Sequence, residues 1–102
     1  MKKLGILVSC DPAHRNFSHA VGLAHAAVGR GVKVYLYCID EAVRGIAREE
    51  VQKLKNEGAV LYGCAFSART RNLPIDDLAT YTGLTIVSDL LASTDRFVSF
   101  NA

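Results

Sequence analysis

Five short apolar or β-branched runs, Lys3–Val8, Val32–Tyr37, Ala59–Tyr62, Leu84–Val87 and Arg96–Phe100, recur along 102 residues with a helix-like stretch in each interval. That strict alternation is the strongest constraint on the fold. Parallel strands cannot be joined by tight hairpins and need crossover connections, and right-handed crossovers lay their helices against the sheet. The order β-α-β-α-β-α-β-α-β therefore predicts an α/β protein with a parallel sheet covered on both faces. The chain is long enough for one modest core and no separate substrate domain, so residues 1–102 read as a single domain.

Local signals place the helices. Phe17, Val21, Ala24 and Val28 mark one apolar face of a helix over about Arg15–Val28, closed by Gly29 and Gly31. Ala47, Val51 and Leu54 mark a second over about Ala47–Asn56, closed by Gly58. Between them, Asp40 is placed to cap a short turn through Ala42 and Val43. After Cys64 a turn or short helix carries Arg69 and Arg71. Pro74 suits a first helical position, so a third helix is predicted to about Tyr81, with Asp76 and Asp77 in its first turn and Gly83 at its end. Ser88 then caps a short helix to about Ser93.

Composition removes several functional classes. Twelve Lys and Arg against ten Asp and Glu give +2, and the charges are interspersed, so no basic stripe matches a nucleic-acid backbone and no direct nucleic-acid partner is expected. No apolar run approaches the ~18 residues of a membrane span. Met1-Lys2-Lys3 followed by Leu4–Val8 and Ser9-Cys10 imitates a lipoprotein signal, but the apolar segment is at or below the lower limit of a secretory core, roughly 7–15 residues. Its removal would also delete the first strand, so a cytoplasmic protein is expected. Ser9–His14 contains no glycine to admit a phosphate, and no Gly-x-Gly-x-x-Gly follows the first strand, which argues against nucleotide binding. With 50% hydrophobic and 22% charged residues, some apolar surface is expected to be covered by another copy of the chain.

The candidate chemistry is thiol chemistry. Cys10, Cys38 and Cys64 fall at or just past the ends of the first three strands, and parallel sheets place their sites beyond those ends. An odd number of cysteines without paired spacing points to a reducing compartment. Cys64 enters a helix-like segment with Arg69 and Arg71 nearby, so backbone N–H groups and positive charge are expected to favour its thiolate. The same residue also reads as a small buried hydrophobe. Cys10 and Cys38 end adjacent strands ~4.8 Å apart and could form a disulfide or, with Cys64 and His14, a zinc set; without Cys-x-x-Cys spacing, no metal is expected. Cys38 continues an apolar strand and reads as core. Asp11 and His14, in the loop after the first strand, are candidates for anion binding or proton exchange, or are simply solvated.

Cys64 with the following segment through Arg69, the order of elements, and the closing Thr94-Asp95-Arg96-Phe97-Val98-Ser99-Phe100 together resemble the DsrE/DsrF-like family, which includes sulfur-relay subunits of the TusD type. The resemblance spans essentially the whole chain. It implies a three-layer α/β/α sandwich with a five-stranded parallel sheet, assembled into dimers, trimers or hexamers. It also implies that Cys64 carries sulfur as a persulfide between donor and acceptor proteins, in sulfur oxidation or tRNA thiolation, without metal or organic cofactor. Arg69 and Arg71 would stabilise the anion, and Cys10 could serve as a second thiol. The chain departs from many members in having Thr70 where they carry glycine and Ser67 where they carry a second cysteine. Two alternatives stand beside this reading: a non-catalytic oligomeric module binding a small anion or a protein, and a redox or metal site built from Cys10, Cys38 and Cys64.

Overall fold

The computed structural model describes residues 1–102. Strands β1 (Lys3–Val8), β2 (Lys33–Cys38), β3 (Val60–Cys64), β4 (Thr80–Thr82) and β5 (Arg96–Phe100) form one sheet in the order β4-β3-β2-β1-β5. Every pairing is parallel. Helices α1 (Arg15–Gly29), α2 (Glu49–Asn56), α3 (Ala65–Thr70) and α4 (Thr85–Ser93) fill the crossovers, and a 3₁₀ turn over Asp40–Gly45 precedes α2.

The strand order dictates how the helices are shared between faces. From β1 through β2 and β3 to β4 the chain steps three times in one direction, and right-handed crossovers leave those connections on one face. From β4 the chain returns past β3, β2 and β1 to β5, which puts α4 on the other face. The result is a three-layer α/β/α sandwich with unequal outer layers. On the fuller side, Ile6, Val8, Val34, Leu36, Cys38 and Leu61 of the sheet meet Phe17, Ala20, Val21 and Ala24 of α1 and Val51 and Leu54 of α2, and all are buried. The larger of these side chains each contribute about 1.5–3 kcal/mol relative to exposure. The opposite face presents Leu7, Tyr35, Tyr37, Val60, Tyr62 and Phe97 in register. There only Tyr37 is fully buried, because α4 alone lies over that face, against β1 and β5.

Three helices end in the same way. Val32 N–H donates to Ala27 O, Ala59 N–H to Leu54 O and Leu73 N–H to Ala68 O, while Gly31, Gly58 and Asn72 close the shorter inner bonds to Val28, Lys55 and Arg69. This double bond pattern requires a left-handed residue at the turn. Gly31 and Gly58 supply it at φ 78° and 108°; Asn72 does so at 56° with a side chain.

Two predicted elements change type. No helix forms between Pro74 and Tyr81; the segment after α3 is irregular, and Thr80–Thr82 is the fourth strand. Asp76 Oδ1 accepts the Leu78 N–H at 3.1 Å, closing a local turn, and the Asp77 and Leu78 carbonyls accept from Lys55 Nζ and Gln52 Nε2 of α2. With its backbone groups satisfied by turn chemistry and α2, the segment has no need of a helix. The Leu84–Val87 run opens α4 instead of forming a strand, because Ile86, Val87 and Leu90 at spacings of four and three lie on one side of a helix. Asp40 does not cap the following turn either. It is the first residue of the turn, at φ 54°, and Ile39 at the cap position makes no side-chain bond.

Candidate functional site

Cys64 and Thr82 are register partners at the ends of β3 and β4. Beyond Cys64 the chain enters α3, which packs on the 3₁₀ turn; beyond Thr82 it enters α4 on the opposite face. Adjacent strands whose exits part in this way form the topological switch point of a parallel sheet, the usual place for a site.

Strand parity decides which side chains meet there. Cys38 pairs with Gly63, so Cys64, one residue on, points to the opposite face from Cys38. Tyr37 pairs with Tyr62, two residues before Cys64, so Tyr37, Tyr62 and Cys64 share a face. The Tyr37 and Tyr62 rings stack with centroids 6.0 Å apart and planes at 29°. Tyr37 is 0% exposed. Its hydroxyl donates toward the carbonyl oxygens of Gly83 at 3.1 Å and Thr82 at 3.3 Å, and accepts from the Thr82 hydroxyl at 3.4 Å. Burial pushes the Tyr37 phenol above its ordinary range; the Thr82 hydroxyl opposes this and the neighbouring Cys64 sulfur adds to it. Cys64 itself is 4% exposed.

The charge expected around Cys64 is arranged differently. Cys64 occupies the N-cap of α3, but its side chain receives no capping hydrogen bond from the helix. Arg71 follows the far end of α3. Its Nε binds Glu41 Oε2 at 2.6 Å and its Nη1 binds Ser67 O and Thr70 Oγ1, so its hydrogen bonds tie α3 to the 3₁₀ turn and none goes to the sulfur. Glu41 is held below the usual carboxylate range by its hydrogen bonds from Arg44 and then Arg71. Arg69 is exposed and makes no side-chain hydrogen bond. Ser67 is buried and accepts the Asp40 N–H at 3.0 Å, joining the exit of β2 to α3.

The remaining predicted residues lie elsewhere. Cys10 and Cys38 are buried and free on the α1 side of the sheet. Burial pushes the Cys38 thiol up to about 12, with Cys10 adding to the rise. Burial also raises Cys10, with a backbone hydrogen bond opposing and Asp11 adding. Cys64 lies across the sheet from Cys38, and no group of three His, Cys, Asp or Glu side chains is placed to hold a metal. Asp11 and His14 build the start of α1. Asp11 Oδ1 accepts the Ala13 N–H at 2.8 Å, and His14 is the N-cap, its Nδ1 accepting the Asn16 N–H at 3.1 Å. No cavity is lined by Cys64. The largest, about 340 Å³, opens at the other end of the sheet among Lys2, Lys3, Leu4, Val32 and Arg96.

Tyr37, Thr82 and Gly83 are the site residues that sequence reasoning missed. Tyr37 was accessible through parity, given the pairing of β2 with β3. Thr82 lay hidden in a segment that reads as the end of a helix.

No family model matches the chain, and no curated protein matches it in sequence. Solved structures do match in fold. The ychN protein from E. coli superposes with a TM-score of 0.85 over 98% of this chain and 100% of its own, at 18% identity. A conserved protein of unknown function from Bacteroides thetaiotaomicron, BT1422, superposes at 0.78 over 97% and 95%, also at 18% identity. At that identity the likeness is one of fold. No helix of the chain is long and apolar enough to cross a membrane.

Proposed function

We propose that the protein is a sulfur carrier, passing persulfide sulfur through Cys64 from a donor protein to an acceptor protein. The observation that carries this reading is the position of Cys64 at the β3–β4 switch point, beside the buried Tyr37 hydroxyl. The resemblance of the Cys64 segment and the closing strand to the DsrE/DsrF-like family adds support, and the whole-chain fold match to the ychN protein is compatible with it.

In the proposed cycle the Cys64 thiolate attacks the outer sulfur of a donor persulfide. A sulfur–sulfur bond forms on Cys64 as the donor's own breaks, and the donor leaves as a thiolate. An acceptor thiolate then attacks the terminal sulfur of the Cys64 persulfide and restores the Cys64 thiolate. Each step is an exchange at sulfur with no net oxidation, so no metal or organic cofactor is called for. Phe66, 73% exposed and two residues beyond Cys64, and Leu84, 57% exposed and next to Gly83, are the apolar side chains proposed to meet a docking partner. Further copies of the chain are proposed to cover the half-buried face at Leu7, Tyr35, Tyr62 and Phe97, giving a trimer or hexamer, or a dimer, in the cytoplasm. The test of the cycle is transfer: protein preloaded with labelled sulfur should pass it to an acceptor thiol, and Cys64→Ser should pass none while Cys10→Ser and Cys38→Ser still do.

One observation favours a second reading, a non-catalytic module binding an anion or a protein: Cys64 is only 4% exposed. Under that reading Cys64 in the folded protein resists alkylation as firmly as Cys38.

A further inference from the structure

We propose that Tyr37 is the hydrogen-bond donor of the Cys64 site, its hydroxyl leaving the Thr82 and Gly83 carbonyls for the sulfur whenever Cys64 is anionic. The proposal rests on the carrier reading for the identity of the anion as thiolate or persulfide.

Four observations lead to it. Tyr37 and Cys64 lie on one face of adjacent strands, offset by two residues, a diagonal that a tyrosine side chain spans. Of the other donors expected to serve the sulfur, α3 places no N–H on the Cys64 side chain, Arg71 is bonded to Glu41, Ser67 and Thr70, and Arg69 is exposed at the surface with no side-chain hydrogen bond. The single Tyr37 proton is shared between two carbonyl oxygens at 3.1 and 3.3 Å, longer than the ~2.7–2.8 Å typical of a hydroxyl donor. Such bonds are weak, and an anionic acceptor makes a hydrogen bond roughly twice as strong as a neutral one. Finally, the Gly83 carbonyl left behind keeps a partner, because the Thr82 hydroxyl lies 3.1 Å from it and turns its one proton there from the Tyr37 oxygen at 3.4 Å. The switch therefore leaves no buried polar atom unpaired on the Gly83 side. The proton stays on the Tyr37 oxygen throughout. Its bond to sulfur lowers the energy of the Cys64 anion both as attacking thiolate and as the thiolate released when the acceptor takes the terminal sulfur.

The experiment is the rate at which iodoacetamide alkylates Cys64 at neutral pH, resolved by peptide mass spectrometry, in wild type and Tyr37→Phe. Glutathione added to the same reaction serves as the internal standard, because Cys10 and Cys38 are buried. The variant is expected to react on the order of 10-fold more slowly at Cys64, the equivalent of one hydrogen bond to a charged group, with the glutathione rate unchanged. An equal or faster Cys64 rate in a folded variant overturns the proposal. If Tyr37→Phe does not fold, wild-type protein with ¹³C at the tyrosine Cζ replaces it. The Tyr37 signal should then step as Cys64 is ionised by raising the pH, with no such step in Cys64→Ser, and a Tyr37 signal that behaves alike in both overturns the proposal. The groups facing the Tyr37 hydroxyl are the Thr82 hydroxyl, two carbonyls and the Cys64 sulfur, while Cys38 lies across the sheet. A wild type that takes up no sulfur but still differs from Tyr37→Phe in alkylation would end the carrier reading and leave the hydrogen bond standing. Equal alkylation with normal sulfur uptake would do the reverse.

Discussion

Cys64 and Thr82 stand opposite each other in register as the last residues of β3 and β4, yet the chain beyond them departs to opposite faces of the sheet. The crevice at that parting follows from strand order alone. Parity then selects among the cysteines. Cys38 pairs with Gly63 and looks into the α1 side, whereas Cys64, one residue further on, looks toward Tyr37.

Alkaline pH should expose the burial of Cys38. Its thiol is pushed up to about 12 in the folded protein from an ordinary value of 9.0. The folded state thus keeps a proton that the unfolded chain releases, and the stabilisation is complete below about pH 9 and lost as pH rises toward 12. Cys10, Tyr37 and Tyr81, all raised first by burial, act in the same direction. Urea denaturation should show a lower midpoint at pH 11 than at pH 8, with Cys38 contributing at most about 4 kcal/mol at full ionisation. Cys38→Ala should make the decline shallower, and an unchanged slope would mean that the Cys38 thiol is solvated.

Asn72 should behave as a turn residue, independent of the site. At φ 56° it closes the end of α3, where Gly31 and Gly58 close α1 and α2. Asn72→Gly is expected to leave stability unchanged or slightly raised. Asn72→Val should cost about 1–2 kcal/mol by chemical denaturation, because a β-branched residue resists the left-handed region.

The sequence was legible where one signal dominated. Lys3–Val8 and Arg96–Phe100 carry β-branched and aromatic runs, and Phe17 through Val28 carry a clean helical stripe, so β1, β5 and α1 appear close to where the pattern puts them. From Leu73 to Val87 the signals were balanced. Pro74 followed by acidic residues imitates a helix start, and Leu84–Val87 is too short to separate strand from helix by periodicity. Long-range partners settled both: Thr80–Thr82 found the free edge of β3, and Ile86, Val87 and Leu90 found the sheet face that α1 and α2 leave open. The edge carrying all three cysteines was legible for the same reason as the strands. Which of them meet was not, because that depends on register, which no local pattern encodes.

Self-association should run through the open face. Leu91 belongs to α4, the one helix over that face, and is 57% exposed, so Leu91→Glu should cost the folded monomer little. Sedimentation velocity is expected to show the wild type as a trimer or hexamer, or a dimer, and the variant shifted toward monomer. A wild type that sediments as a monomer at all concentrations would leave that face without a second copy to cover it.

The central claim is that Cys64 carries sulfur. Native protein is incubated with a persulfide donor, its free thiols are trapped, and its peptides are resolved by mass spectrometry. One added sulfur atom is expected on the Cys64 peptide and none on the Cys10 or Cys38 peptides, with uptake abolished in Cys64→Ser. Absence of added sulfur on Cys64, or uptake undiminished in Cys64→Ser, would contradict the account.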